Sequence, residues 1–180
     1  MAPPTPAPIA FTPLAEAPRD IPTIAAQERA SIFPHWSPSL AYTIGTTLRT
    51  RLLSHPSPAV IHVSTPTSPP HVLFHATTHP GTTPDNDVWV ARKRAAVVRW
   101  GVSTWQLQQR FGGDEEKFRQ KLGLGEGAGQ YAIHGGGVPV YVKGVEGCVA
   151  VVVVSGLKQW DDHQVVVEGL AEVLAGLEEE

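Results

Sequence analysis

The sequence predicts an α+β fold in which helices flank a mainly antiparallel sheet of about five strands. Three observations support this class. Residues 38–54 repeat apolar side chains at helical spacing, and apolar stretches at 58–63 and 71–76 flank a proline-rich link. Residues 148–154 form a continuous apolar run rich in valine, which is typical of a central strand covered on both faces.

Caps and apolar spacing place the helices. Helices are expected at residues 21–30, 38–54, 84–98, 103–110 and 114–122, and from about residue 161 onward. Ser37 is the predicted N-cap of the second helix, with Pro38 as its first residue, and Asp85 or Asn86 is the predicted cap of the third. Residues 1–18 contain six prolines and are expected to form a flexible arm, so a single domain covers residues 19–180.

The strands follow from apolar runs bounded by turn residues. They are expected at residues 58–63, 71–76, 131–134, 138–143 and 147–155. The proline-rich link at 65–70 suits an exposed hairpin tip, and the glycine-bearing turn at 143–147 suits a second antiparallel hairpin. The glycine-rich segment 123–129 has neither the lysine of a phosphate-binding loop nor a place between strand and helix, so a flexible connector is favoured over a nucleotide site.

Composition narrows the class of protein. The net charge of −3 gives no reason to expect nucleic acid or an acidic membrane as partner. No apolar run approaches the roughly 20 residues of a membrane span, and the start of the chain does not have the pattern of a secretory signal. One cysteine, Cys148, excludes an internal disulfide and paired-thiol metal motifs. A cytoplasmic protein fits these observations best.

The tetrapeptide His134-Gly135-Gly136-Gly137 raises the question of an esterase, since the same letters form an oxyanion hole in one group of lipases. Such enzymes also need a serine in a G-x-S-x-G elbow. Ser103 lacks the second glycine of that elbow and Ser155 has Val153 in place of the first, so a serine hydrolase is rejected. The segment is expected to be a strand-to-strand bend. Either it is only a bend, or its backbone N–H groups and the imidazole form one wall of a small-molecule pocket.

The third predicted helix carries the basic run Arg92-Lys93-Arg94. Because Asn86, Trp89 and Lys93 follow one another at helical spacing, they share one edge of that helix. Two interpretations stay open. The run is a solvated helix face, or it forms an anion-binding wall in which cationic groups meet the carboxylates of a ligand.

Other polar clusters have simpler explanations. His71 and His75 share a strand face, with His62 nearby, but no triad of ligands with a metal-site pattern is present, so surface or edge-strand histidines are favoured over a metal site. Asp162 and His163 open the last helix, where acidic side chains suit the helix dipole. A capping role for His163 is favoured over a place in the pocket.

Four segments together resemble a known family. They are FPHWSPSLAYTIGTTLR at 33–49, PDNDVWVARKRAAV at 84–97, HGGGVPVYV at 134–142 and VSGLKQWDDHQVVVEGL at 154–170. The combination resembles uncharacterised protein family 0303 of fungi and bacteria, within the haem-degrading, haem-binding protein S-like superfamily. The resemblance implies a profilin- or PAS-like antiparallel sheet. It also implies ligand-binding positions at Asn86, Trp89, Arg92, Lys93, His134, Gly135 and Gly136.

The resemblance implies two functions. The first is a homo-oligomeric, cytoplasmic protein with a small-ligand pocket, in which haem is the candidate ligand and weak haem-degrading activity is conceivable. Arg92 and Lys93 would bind the propionates, Trp89 would lie against the ring, and His134 would be the axial ligand. The second is a non-catalytic adaptor of chaperone or tail-anchored membrane-protein targeting machinery. Either protein would assemble from dimers into an octamer or decamer. No complete catalytic constellation and no metal site is predicted.

Overall fold

The structure is a computed structural model that describes residues 10–178. Its α-helices are α1 (Ile21–Ala30), α2 (Pro38–Leu52), α3 (Pro84–Trp100), α4 (Thr104–Phe111), α5 (Glu115–Lys121) and α6 (Gln159–Glu178), with a 3-10 helix at Gly125–Gln130. Its strands are β1 (Ile32–Phe33), β2 (Val60–Ser64), β3 (Val72–Thr77), β4 (Gly137–Val142) and β5 (Ala150–Ser155). The predicted α+β class is confirmed.

One sheet organises the chain, with the strand order β1-β4-β5-β2-β3. The pairs β4–β5, β5–β2 and β2–β3 are antiparallel, and only β1 pairs in parallel, with β4. All six residues of β5 are buried, which confirms the predicted central strand. Both predicted hairpins are present. The first joins β2 to β3 and the second joins β4 to β5.

Helices cover both faces of the sheet. Helices α2 and α6 pack on one face and α3 packs on the other. Successive side chains of β5 point to opposite faces of the sheet and so contribute to two apolar cores. Val152 and Val154 belong to the larger core, which lies beneath α2 and α6. Val151 and Val153 instead pack with Val97 of α3. A strand that is buried on both faces must be apolar at nearly every position, which explains the run of valines in β5.

Two helix N-caps were predicted from the sequence, and the structure confirms one of them. Ser37 caps α2, because its Oγ accepts a hydrogen bond from the Leu40 N–H at 3.1 Å. The cap predicted for α3 at Asp85 or Asn86 is wrong, because Thr83 is the N-cap. The Oδ1 of Asn86 instead accepts a hydrogen bond from the Thr83 N–H at 2.9 Å, as in a capping box. The N-cap therefore lies two or three residues earlier than predicted, although the helix begins at the predicted residue, Pro84.

Two segments of the last third differ from prediction. Residues 131–134 do not form a strand, because the Ala132 N–H donates to the Arg92 carbonyl of α3 at 3.2 Å and ties this segment to the helix. The fifth strand is instead the two-residue β1. His134 to Gly137 therefore lead from a loop into β4, and the predicted strand-to-strand bend is wrong. Residues 125–129 of the predicted glycine connector lie in a 3-10 helix that extends to Gln130.

The predicted flexible arm covered residues 1–18, of which the structure describes 10–18. This part lies against the domain. The Ala15 N–H donates to Glu168 Oε1 of α6 at 2.9 Å, and the Pro18 carbonyl accepts from the Trp105 indole N–H at 2.7 Å. Ala17 is buried. The rest of the predicted arm lies outside the described residues.

His163 lies in the core, so the predicted capping role for it is wrong. Its side chain is fully buried and its ring stacks on Trp105, with centroids 6.1 Å apart. Neither ring nitrogen has a hydrogen-bond partner within residues 10–178. Burial lowers the pKa of His163 to about 3 from its ordinary value of 6.5. The imidazole is therefore neutral in the folded protein over most of the acidic range.

We expect His163→Phe to make the fold more resistant to acid. The unfolded chain binds this proton below about pH 6.5 while the folded chain does not, so stability falls as the pH drops from that value towards the folded pKa of about 3. The slope is about 1.4 kcal/mol per pH unit, and the variant should lack this contribution. Stability at neutral pH should be equal or higher, because two unpaired polar atoms leave the core.

Urea unfolding at a series of pH values between 7 and 4 measures this difference. The exposed His35, replaced by Phe in the same way, controls for the loss of a histidine. A variant with the same acid slope as the wild type would show that His163 is protonated in the folded protein.

Candidate functional site

A cleft with a volume of about 460 Å³ lies between the first turns of α3 and the connection from β5 into α6. Its lining residues are Asn86, Trp89, Lys93, His134, Ser155, Gly156, Leu157, Lys158, Gln159, Trp160 and Asp162. Another cavity, of about 480 Å³, lies between the N-terminal segment and α2, and it is lined mainly by threonine and other polar side chains. The cleft beside α3 is the better candidate, because it combines aromatic surfaces with several polar groups.

The floor of the cleft is a buried ion pair. The Lys93 ammonium lies 2.9 Å from Asp162 Oδ2 and donates to the Val154 carbonyl at 3.0 Å. The two side chains are only 3% and 4% exposed. The other oxygen of Asp162 accepts a hydrogen bond from the Leu157 N–H at 3.0 Å. Asp162 is therefore a partner of Lys93, and the dipole explanation predicted for it is incomplete.

Burial controls the electrostatics of this pair. Complete burial raises the pKa of Asp162 from its ordinary value, and the neighbouring Lys93 ammonium and the Leu157 N–H oppose that rise. A charged carboxylate at this depth depends on a charged partner and on hydrogen bonds that replace water. The floor of the cleft thus carries two charges that cancel each other.

The glycines of the HGGG segment are explained by this floor. Gly136 has φ +123°, a backbone conformation that favours glycine, and a Cβ there would lie 2.8 Å from Lys93 Nζ and 2.9 Å from Asp162 Cβ. The Gly136 carbonyl also accepts a hydrogen bond from the Val154 N–H at 3.0 Å. The tetrapeptide therefore lets the start of β4 approach the ion pair closely.

An aromatic pair, Trp89 and His134, forms one side of the cleft, and Arg92 packs against this pair without lining the cleft. The rings of Trp89 and His134 meet edge to face with centroids 4.9 Å apart, and the Arg92 guanidinium lies 4.6 Å from the Trp89 ring centroid. Arg92 also donates to the Tyr131 carbonyl at 3.1 Å. Burial lowers the pKa of His134, although Glu115, 3.5 Å from its Nδ1, opposes the shift. The imidazole is therefore predominantly neutral at pH 7.

The structure brings together four of the predicted ligand-binding side chains, those of Asn86, Trp89, Lys93 and His134. Gly135 and Gly136 lie beside them as backbone. Arg92 is not among the lining residues of the cleft, and it faces a smaller cavity of about 140 Å³ with Glu115 and Glu116. The solvated-face interpretation of the basic run is wrong for Lys93, which is buried.

Sequence reasoning missed the opposite wall. Ser155 ends β5, Lys158 lies in the connection, and Gln159 and Trp160 begin α6. The signal for them was present in the fragment VSGLKQWDD, because a Ser-Gly pair at the end of a buried strand begins a short link into a helix. Nothing in the spacing of these residues indicated that the link faces α3.

The hairpin histidines form a pair. The Nδ1 atoms of His62 and His75 are 3.0 Å apart, and Nε2 of His75 lies 3.1 Å from Asp87 Oδ1. Burial, followed by the charge of His75, lowers the pKa of His62 to about 4. Within residues 10–178 no three histidine, cysteine, aspartate or glutamate side chains are grouped so that they could hold a metal ion.

Comparison with known proteins decides the family. The family described as haem degrading protein HbpS-like matches residues 37–171, which include every lining residue of the cleft. This chain belongs to the HbpS-like family. The chain also belongs among the UPF0303 proteins. It is 38% identical to one from Streptomyces avermitilis over 157 residues, covering 87% of this chain and 92% of the relative, and 37% identical to one from Sinorhizobium medicae over 161 residues, covering 89% and 94%.

Solved structures support the fold of this HbpS-like chain. The crystal structure of Ybr137w protein superposes with a TM-score of 0.78 at 27% identity, covering 87% of this chain and 90% of that chain. The crystal structure of HbpS superposes with a TM-score of 0.57 at 20% identity, covering 78% and 90%. In the part of the chain that the structure describes, no helix has the length and apolar character needed to cross a membrane.

We expect the Lys93–Asp162 pair to be costly to break from either side. Lys93→Met leaves a buried carboxylate without its partner and should lower the free energy of unfolding by about 3–5 kcal/mol, as should Asp162→Leu, which leaves the buried ammonium without its partner. The double variant Lys93→Met/Asp162→Leu should lose less than the sum of the two single changes, because no unpaired charge remains.

Urea denaturation of the four proteins of this cycle measures the coupling. Arg119→Met, which breaks the exposed pair with Glu116, is the matched control and should change stability little. Strict additivity of the two single variants would contradict the account of a coupled buried pair.

Proposed function

We propose that this protein binds a small organic ligand in the cleft between α3 and the start of α6. One observation carries the proposal. The cleft has a volume of about 460 Å³, within the usual range for small-molecule sites, and it combines two tryptophans with a neutral imidazole and several polar side chains. The cleft also contains four side chains that the sequence had indicated independently. The proposed setting is the cytoplasm, in keeping with a single cysteine per chain.

Haem is the first candidate, because the chain belongs to a family described as haem degrading. His134 fits the role of axial ligand, since it lines the cleft and its imidazole is neutral. Nε2 would be the ligating atom, because Nδ1 is buried beside Glu115. The predicted propionate anchors fit poorly. Lys93 is held in the buried pair, and Arg92 is bound to the Tyr131 carbonyl and covers Trp89. We therefore propose His134 as the axial ligand of haem and do not propose Arg92 or Lys93 as partners of the propionates.

We expect haemin to give a shifted Soret band with the wild-type protein and not with His134→Ala, because loss of the imidazole removes the axial ligand. Titration of the protein with haemin, followed by absorbance, measures the stoichiometry and the shift. His71→Ala is the matched control, since it removes an exposed histidine on the β2–β3 connection.

Uptake of several haemins per chain, equal in the wild type and in His134→Ala, would exclude a specific haem site in the cleft. Binding of another small molecule there would remain the more general proposal.

Assembly is part of the proposal. We propose a homo-oligomer built from dimers, an octamer or decamer, in which the edge of the sheet is covered. Strand β3 is one of the two edge strands, and apolar side chains are exposed on it and beside it. Val72 lies on the strand, and the ring centroid of Tyr42 of α2 lies 6.0 Å from that of Phe74 on β3. Exposed strand edges and apolar side chains are features that proteins usually cover by association.

The same exposed side chains favour a second candidate function, that of a non-catalytic adaptor for cytoplasmic chaperone or membrane-protein targeting machinery. A protein partner would then cover the surface formed by Tyr42 and Val72 in place of a second copy of the chain.

A further inference from the structure

The amide side chains of the cleft are oriented by hydrogen bonds to the backbone. Asn86 Oδ1 accepts from the Thr83 N–H at 2.9 Å, and Gln159 Oε1 accepts from the Gly135 N–H at 3.4 Å. Each acceptor oxygen is therefore in use. The two amide nitrogens form no hydrogen bond with residues 10–178, so both side chains offer the cleft donors rather than acceptors.

Ser155 adds a hydroxyl at the base of the cleft. It follows Val151 and Val153 on the face of β5 that packs against α3, and it is one of the lining residues. The residue is only 4% exposed. Its hydroxyl is a hydrogen-bond donor that can meet an acceptor bound in the cleft.

Lys158 supplies the uncompensated positive charge of the cleft. Its side chain is exposed and lines the cleft, and it takes part in no ion pair among residues 10–178. The charges of Lys93 and Asp162 cancel at the floor, and both oxygens of Asp162 accept hydrogen bonds. Neither Glu115 nor Asp161 is a lining residue. The cleft therefore presents one uncompensated positive charge and a set of donors.

We propose that the cleft selects a monocarboxylate with a flat apolar body. The carboxylate would accept hydrogen bonds from Lys158, Ser155 and the amide nitrogen of Gln159, and the apolar body would lie against Trp89 and Trp160. This inference rests on the proposed binding of a small ligand in the cleft, and it names a ligand class other than haem, which carries two carboxylates. A carboxylate fits because it only accepts hydrogen bonds, and a single free cation matches a single negative charge.

Isothermal titration with two probes of the same shape tests the inference. 2-Naphthoate carries the carboxylate, and 2-naphthamide is its neutral counterpart. At pH 7 we expect the wild-type protein to bind 2-naphthoate at least about tenfold more tightly than 2-naphthamide. Lys158→Met should remove most of this preference by weakening only 2-naphthoate, and Ser155→Ala should reduce it in part. Lys143→Met, a change at an exposed lysine just after the far end of β4, should leave both affinities unchanged.

Each result leads to a definite conclusion. Equal binding of the two probes, or an equal loss of both in Lys158→Met, would overturn the carboxylate inference while leaving ligand binding in the cleft intact. The absence of heat from both probes would overturn the inference too. The haemin titration would then decide the proposed function by itself, because it depends on His134 and not on Lys158.

Discussion

The buried pair of Lys93 and Asp162 is the interaction on which the rest of the site depends. It joins three elements, since Lys93 lies on α3, Val154 belongs to β5, and Asp162 lies in the first turn of α6. Asp162 also holds the Leu157 N–H and thereby fixes the connection between β5 and α6. Burying two charges has a large desolvation cost, so the pair specifies this one arrangement more than it adds net stability.

The surroundings of the pair follow from this constraint. The start of β4 must pass close to the Lys93 ammonium, and a glycine at position 136 makes that approach sterically feasible. The Lys93 ammonium is held by Asp162 and is not available to a ligand. Polar groups that a ligand can reach lie on the opposite wall, where Lys158 and Ser155 are found. His134 completes the other side and remains neutral because it is partly buried beside cations. The structural and the ligand-facing polar groups are thus different residues.

Much of the fold could be predicted from local patterns. Ser37 and Pro38 mark the start of α2, and the valine run marks β5, because caps and apolar periodicity act over a few residues. The segment 131–134 has a similar apolar character, but it packs on α3, and a pattern cannot show which surface an apolar residue meets. Strand β1 has only two residues, too few for any periodicity.

Sequence patterns predicted only part of the site, because they report on residues that are close along the chain. Helical spacing placed Asn86, Trp89 and Lys93 on one edge of α3, and the structure confirms that they share the cleft. The partner of Lys93 lies 69 residues further along the chain, a distance over which spacing carries no information. A lysine in a basic run therefore looked equally like a solvated residue. The wall from Ser155 to Trp160 could not be predicted, because only the folded sheet places the end of β5 opposite α3.

Native mass spectrometry of the protein purified from its own organism tests the central claim, that the cleft holds a small ligand, most directly. The account predicts an oligomer whose mass exceeds a whole number of bare chains by one small molecule per chain, and it predicts that Lys158→Met or His134→Ala purified in the same way lacks that extra mass. Extra mass that is unchanged in both variants would place the ligand elsewhere. An assembly of bare chains, alone or with a co-purified protein, would contradict the ligand-binding account, and a co-purified protein would favour the adaptor.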